Sequence, residues 1–140
     1  MTKPRADMRR QFELPSFDTQ YLETTGLEWE TIVEGAGRWL LLHDRPVPNG
    51  YNVERAIVAL QIPPGYPDAQ IDMVYFFPAL ARKDNQAIGA TQSAQVLDGK
   101  SFQRWSRHRT PASPWRAGED DISSHLVLVD DWLEREFKIR

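Results

Sequence analysis

The stretch "GEDDISSHLVLVDDWLEREFKIR", residues 118 to 140, predicts an amphipathic helix close to the end of the sequence. Its apolar residues recur at spacings of four, three, four and four, and they are Ile122, Leu126, Val129, Leu133 and Phe137. Such spacing puts the side chains on one face of a helix. Asp120 and Asp121 stand at its start, where carboxylates suit the positive end of the helix dipole. We expect this helix to pack across a sheet.

Four apolar segments before the helix predict the strands of that sheet. Residues 27–35 alternate apolar and acidic side chains, and residues 38–44 follow after a glycine-rich turn. Residues 55–63 and 71–77 are continuous apolar runs, each bounded by proline. Because short links join these segments in sequence, we expect a four-stranded antiparallel meander.

A short helix and a long loop flank the predicted strands. Residues 17–25 begin with hydroxyl and acidic residues suited to capping, and the helix should end before Gly26. Residues 78–99 are irregular and too long for a hairpin link, and loops of this kind often carry function. We therefore predict an α+β fold whose folded domain spans residues 12–140 and follows a flexible N-terminal segment, residues 1–11.

The composition limits the chemistry that the chain can perform. A chain of 140 residues that is 41% hydrophobic, with a net charge of −3, is typical of one soluble domain. It has no cysteine, so disulfides, thiolate metal sites and thiol nucleophiles are excluded. Three dispersed histidines give little support for a metal, and no cofactor motif is present. Without a signal sequence or an apolar run of about 18 residues, we expect a cytoplasmic protein that does not enter a membrane.

The stretch "FQRWSRHR", residues 102 to 109, holds the most reactive combination of side chains. In an extended segment Ser106 and His108 would face the same way, and a serine needs an adjacent base to act as a nucleophile. The neighbouring guanidinium groups, which could steady an oxyanion or an acidic carrier protein, belong to Arg104, Arg107 and Arg109. The competing interpretation is a hydrogen-bonded pair at the edge of a strand, with no catalytic role.

A second interpretation of this region depends on its charge. Residues 99–118 contain five basic and no acidic residues, interleaved with Phe102, Trp105 and Trp115. A basic, aromatic segment can hold single-stranded nucleic acid or a phosphate-bearing ligand. The patch is modest on a chain with net negative charge, and no nucleic-acid motif accompanies it. We therefore rank nucleic acid below a carrier protein, for which Trp105 and Trp115 could form part of the contact surface or the core beneath it.

Two stretches resemble a known family. "IPPGYPDAQIDMVYF", residues 62–76, is similar to the strand, tyrosine-proline turn and strand that precede the active-site segment of ubiquitin-conjugating enzymes. "SPWRAGEDDISSHLVLVDDWL", residues 113–133, is similar to the tryptophan-containing turn and helix behind that active site. The combination resembles in particular prokaryotic family E, a cysteine-free bacterial branch, over about residues 12–137. The resemblance implies a ubiquitin-conjugating-enzyme-like domain and a cis bond at Pro67.

The resemblance also implies partners: an adenylating enzyme, a ubiquitin-like protein and a peptidase that removes it. Because the family's usual cysteine is absent, the chain is either a non-catalytic variant that binds such partners or a transferase with an oxygen nucleophile. Counting forward from the "GK" turn places the missing residue beside Ser101, whereas counting backward from Trp115 places it beside Ser106. We prefer Ser106, since the backward count starts from a turn anchored by a helix. His108 would be its base, and His125, at the edge of the core, could reach this segment from behind.

Overall fold

The structure is a computed structural model, and it describes residues 8–138. Two helices and six strands follow one another in this part of the chain. They are α1 (Ser16–Thr24), β1 (Trp29–Glu34), β2 (Gly37–Pro46), β3 (Arg55–Ile62), β4 (Val74–Phe77), β5 (Ala94–Leu97), β6 (Lys100–Trp105) and α2 (Ile122–Arg135). The strands form one antiparallel sheet in the order β1-β2-β3-β4-β6-β5. The α+β class is thus confirmed, as are the two helices.

The predicted four-stranded meander is wrong, because a further hairpin extends the sheet. Strands β5 and β6 pair antiparallel across a two-residue turn, Asp98 and Gly99, whose φ angles are +53° and +74°. Positive φ at both central residues is what a type I′ hairpin turn requires. Strand β5 therefore occupies the end of the segment 78–99 that we expected to be irregular. β6 then inserts between β5 and β4.

The helices cover one face of the sheet. The buried residues of α2 are the predicted stripe up to Leu133 together with His125 and Trp132, and the stripe packs on sheet residues such as Phe76 and Trp105. Asp121 caps the helix by accepting a hydrogen bond from the backbone of Ser124, whose hydroxyl accepts from the backbone of Asp121 in return. No helix within residues 8–138 is long and apolar enough to cross a membrane.

The sheet curls, so that the side chains on its opposite face pack against one another. Its core contains the side chains of Ile32, Trp39, Leu41, Ala59, Tyr75, Leu97 and Phe102. Contacts between the two edges of the sheet close this side: Arg9 binds both Glu30 of β1 and Asp98 of the hairpin turn. The backbone N–H of Asp98 also donates to Glu34 at 3.0 Å. The additional hairpin thus gives the sheet a second, smaller core.

The predicted flexible segment, residues 1–11, lies mostly outside the described residues. The part that is described pairs with the outer edge of β1: Gln11 N–H donates to Thr31 at 2.9 Å, and Thr31 N–H donates to Arg9 at 3.0 Å. These bonds satisfy backbone groups that an edge strand would leave open. The domain boundary at residue 12 stays a prediction.

Candidate functional site

The candidate serine lies where β6 ends. The expected extended segment stops at Trp105, so strand alternation does not determine the directions of Ser106 and His108. The chain turns at once, with Arg107 N–H donating to the carbonyl of Trp105 at 3.0 Å. Ser106 N–H donates to the carbonyl of Ala90 at 3.0 Å, which holds the serine against the preceding loop. Ser106 is thus a half-buried residue, fixed where the end of β6 meets that loop.

The hydroxyl of Ser106 contacts Met73, the residue just before β4. Its Oγ lies 3.8 Å from Sδ of Met73 and donates a weak hydrogen bond to the sulfur. Met73 has a φ of +61°, in the left-handed region that residues other than glycine adopt only at a cost. This backbone conformation lets one residue contact the serine with its side chain and present its carbonyl to helix α2.

His108 is paired with a carboxylate that the sequence analysis missed. Its Nδ1 lies 3.0 Å from both carboxylate oxygens of Asp72. Because a carboxylate can only accept, Nδ1 carries the hydrogen and Nε2 is left as an acceptor. The side chain of His108 is 61% exposed, so Nε2 is accessible to a reacting group. Asp72 fixes the orientation of the imidazole, and the signal for it was a lone acid in the apolar run 71–77.

Ser106 contacts Met73, the residue that follows Asp72 in the chain, but no hydrogen bond within residues 8–138 joins the serine to His108. Ser101, the residue favoured by the forward count, is exposed in β6 beside the hairpin turn. It is five residues from Ser106 along an extended strand, or about 16 Å. Of the two serines, Ser106 is therefore the one with a histidine–carboxylate pair beside it.

His125 supports the site from the helix side. Its Nε2 donates to the carbonyl of Met73 at 2.9 Å, and its ring packs edge-on against Trp132 at 5.7 Å. The side chain is fully buried, deeper than the core edge we expected. Burial lowers the pKa of His125 to about 4, in spite of its bond to Met73. At neutral pH the imidazole is therefore uncharged, and it holds the carbonyl of Met73.

The three arginines of the segment have different surroundings. Arg107 joins the loop before β5 to the end of α2, because it donates to the carbonyl of Gly89 at 2.9 Å and to Glu136 at 3.1 Å. Arg104 lies opposite Tyr75 on the smaller core, and its buried Nε has no hydrogen-bond partner among residues 8–138. Arg109 stacks on Trp115, with its guanidinium carbon 5.0 Å from the ring centre. The structure therefore does not gather the three charges around Ser106.

The aromatic residues of the basic segment serve packing. Trp105 is 0% exposed in the helix-side core, and Phe102 is buried in the smaller one. Neither can stack on a base, which is how aromatic side chains hold single strands. Trp115 donates to the carbonyl of Pro67 at 3.0 Å, and the peptide bond between Tyr66 and Pro67 is cis, as the resemblance implied. Residues 8–138 contain no group of three metal-ligating side chains.

A curled antiparallel sheet with a long helix behind a serine–histidine segment is compatible with the ubiquitin-conjugating, or E2, class. The chain matches the model of the family described as Prokaryotic E2 family E over residues 14–136, and it belongs to that family. The comparisons with curated proteins and with solved structures gave no match. Family membership confirms the resemblance and indicates a role in ubiquitin-like conjugation, which in general involves a ubiquitin-like protein and an activating enzyme.

Proposed function

We propose that this protein accepts an activated ubiquitin-like modifier from an adenylating enzyme in a bacterial conjugation pathway and carries it as an ester on Ser106. The observation that carries the proposal is the Asp72–His108 pair close in sequence and strand order to Ser106, in a chain that belongs to an E2 family and has no cysteine. An oxygen nucleophile needs a base, whereas a thiol, which ionises more readily, depends on one less. The pair supplies that base.

The reaction forms one bond and breaks one. Oγ of Ser106 attacks the carbonyl carbon of the activated modifier C terminus, and the bond from that carbon to its activating group breaks. The hydroxyl proton passes to Nε2 of His108, whose Nδ1–H stays hydrogen-bonded to Asp72. For this transfer the hydroxyl must break its hydrogen bond to Sδ of Met73. The cost is small, because a thioether sulfur is a weak acceptor. Asp72 stabilises the imidazolium that forms.

The test mixes the protein with its activating enzyme, its modifier and nucleotide. We expect a linked species that survives thiol reductants and is cleaved by mild alkali or hydroxylamine, as an ester is. Ser106→Ala should abolish this species, and His108→Ala should slow its formation by about 10²- to 10⁴-fold. Ser101→Ala is the matched control and should leave the rate nearly unchanged, since Ser101 lies at the other end of β6.

A non-catalytic member of the same family is the second candidate. It is favoured by one observation: Ser106 is bonded to Met73 and not to His108. In that case the protein would bind the activating enzyme or the modifier without forming a linked species, and Ser106→Ala would not change the affinity. Loss of the linked species in Ser101→Ala with retention in Ser106→Ala would instead show that the forward count identifies the nucleophile.

A further inference from the structure

A groove of about 470 Å³ runs between the segment that follows β6 and the C-terminal half of α2. Arg109 and Ser113 line one wall, and Leu128 and Trp132 line the other. His108 lines the groove, whereas Ser106 and Asp72 do not. The groove therefore adjoins the candidate site and shares one residue with it.

Arg109 is the unusual residue of this groove. Its side chain is only 9% exposed, and it makes no hydrogen bond with any residue from 8 to 138. Its contacts are the ring of Trp115 and a carboxylate oxygen of Asp120 at 3.8 Å, which is too long for a hydrogen bond. A guanidinium has five N–H donors, and buried charged groups are almost always hydrogen-bonded. Arg109 thus has unused donors on the wall of an open groove.

Asp120 cannot move to meet this need without losing other bonds. One of its carboxylate oxygens accepts from the backbone of Arg116 at 2.7 Å, and the other accepts from Ser124 at 2.9 Å. These bonds fix the turn that leads into α2. Among residues 8–138 Arg109 therefore keeps no hydrogen-bond acceptor, and a bound ligand can supply one.

The other two arginines of the groove have a bonded carboxylate or solvent around them. Arg107 pairs with Glu136 at 3.1 Å, and the side chain of Arg135, 3.9 Å from Asp131, is 60% exposed to water. Arg109 is the arginine of the groove that is buried with open donors, and the planar fork of a guanidinium matches a carboxylate. Because Leu128 and Trp132 form the opposite wall, the groove suits a carboxylate that is accompanied by an apolar side chain.

We propose that this groove binds an acidic peptide segment of a partner protein. A glutamate or aspartate of the segment binds the guanidinium of Arg109, and a neighbouring apolar side chain packs against Leu128 and Trp132. The binding requires neither the activating enzyme nor the modifier, so it stands or fails independently of ester formation on Ser106.

The test measures fluorescence anisotropy of a labelled hexapeptide of alternating leucine and glutamate added to the full chain. We expect binding that weakens with salt, at least 10-fold weaker binding for the leucine–lysine peptide, and a similar loss for a serine–glutamate peptide. Arg109→Gln should weaken binding of the acidic peptide by about 10- to 100-fold, because it removes a charge-assisted hydrogen bond. Arg55→Gln, which makes the same charge change at an exposed site on β3, should leave the affinity within about twofold.

A second pair of variants leaves Arg109 intact, in case its replacement disturbs the fold. Ser113 is exposed at the groove, so Ser113→Lys should tighten binding of the acidic peptide and Ser113→Glu should weaken it. Equal affinity for the acidic and basic peptides, or no response to the Arg109 and Ser113 variants, would overturn the proposal. So would tighter binding of an oligothymidylate or of inorganic phosphate than of the acidic peptide.

Discussion

His125 donates its Nε2 hydrogen to the carbonyl of Met73 at 2.9 Å, and this bond ties helix α2 to the residue that contacts the candidate serine. Met73 is in the left-handed region of backbone space, so its conformation needs support from its surroundings. The carbonyl bond gives that support from the buried side. Asp72, the partner of His108, is the next residue back in the chain. One histidine in the core therefore stabilises the backbone on which both halves of the candidate site depend.

This arrangement predicts a loss of stability in weak acid. The pKa of His125 is about 4 in the folded protein and about 6.5 in the unfolded chain. Between these values the unfolded chain binds more protons, so stability falls as the pH falls from 6.5 to 4. A difference of about 2.5 pKa units corresponds to a contribution of about 3 kcal/mol. We expect urea unfolding at a series of pH values to show this decrease.

The matched variant for this prediction is His125→Gln. Its amide can donate to the carbonyl of Met73 but does not titrate, so the free energy of unfolding should depend less on pH between 4 and 6.5. The difference between the two profiles, rather than either profile alone, reports His125, because other carboxyl groups titrate in the same range. Parallel profiles for the two proteins would show that His125 is not the group responsible.

Glu30 should cause a second loss of stability, at a more acidic pH. The carboxylate side chain is 2% exposed, and burial alone would raise its pKa. Hydrogen bonds from the side chain and backbone of Arg9 and from His43 outweigh burial and lower the pKa of Glu30 to about 2. The stabilisation is therefore present above the unfolded value of about 4.5 and is lost as the pH falls towards 2. Glu30→Gln should cost about 1–3 kcal/mol at neutral pH, measured by urea unfolding.

The control for Glu30 lies two residues away. Glu28 precedes β1 and is partly exposed, and no hydrogen bond to its side chain is formed by the described residues. Glu28→Gln should therefore change the free energy of unfolding by less than about 0.5 kcal/mol. If both substitutions had the same small effect, the contacts among Arg9, Glu30 and His43 would not stabilise the closed side of the sheet.

The elements that sequence predicts well are those whose burial is periodic. The stripe of α2 and the strands β1 to β4 contribute side chains to the core at regular intervals. This burial appears in the sequence as a regular spacing of apolar residues. Strand β5 is different, because three of its four residues are exposed at the edge of the sheet. It leaves no apolar pattern, and the "DG" turn after it was the signal that could have revealed the hairpin.

The site was less predictable for a topological reason. Asp72 and His108 are 36 residues apart, and they meet because β4 pairs with β6. Ser106 and His108 stand two positions apart in one segment, and this spacing was the basis for predicting that they act together. The histidine could be predicted as a base from its own segment, but its carboxylate could not, because that requires knowing which strands are neighbours.

Tyr66 links the proline turn to both helices, and its removal should be costly. Its hydroxyl donates to Asp18 at 2.7 Å, and the other oxygen of that buried carboxylate accepts from Ile122 N–H at 3.2 Å. Burial raises the pKa of Asp18, so the carboxylate depends on these donors. Tyr66→Phe should lower the free energy of unfolding by about 1–3 kcal/mol. Tyr21→Phe on α1 removes a hydroxyl that has no such bond among the described residues and should be nearly neutral.

Asp72 is the residue whose substitution best separates a catalytic arrangement from an incidental ion pair. In the proposed transfer it holds Nδ1–H of His108 and keeps Nε2 as the acceptor of the serine proton. Asp72→Ala should therefore slow formation of the linked species by about 10- to 100-fold while the protein stays folded, because the side chain is partly exposed. Asp72→Glu, which preserves the carboxylate, should recover part of that rate. Asp68→Ala, in the exposed turn before it, removes the same charge and should have no effect.

The double variant Asp72→Ala with His108→Ala should be no slower than His108→Ala alone, since Asp72 acts only through the histidine. An additive loss in the double variant would mean that Asp72 acts by another route.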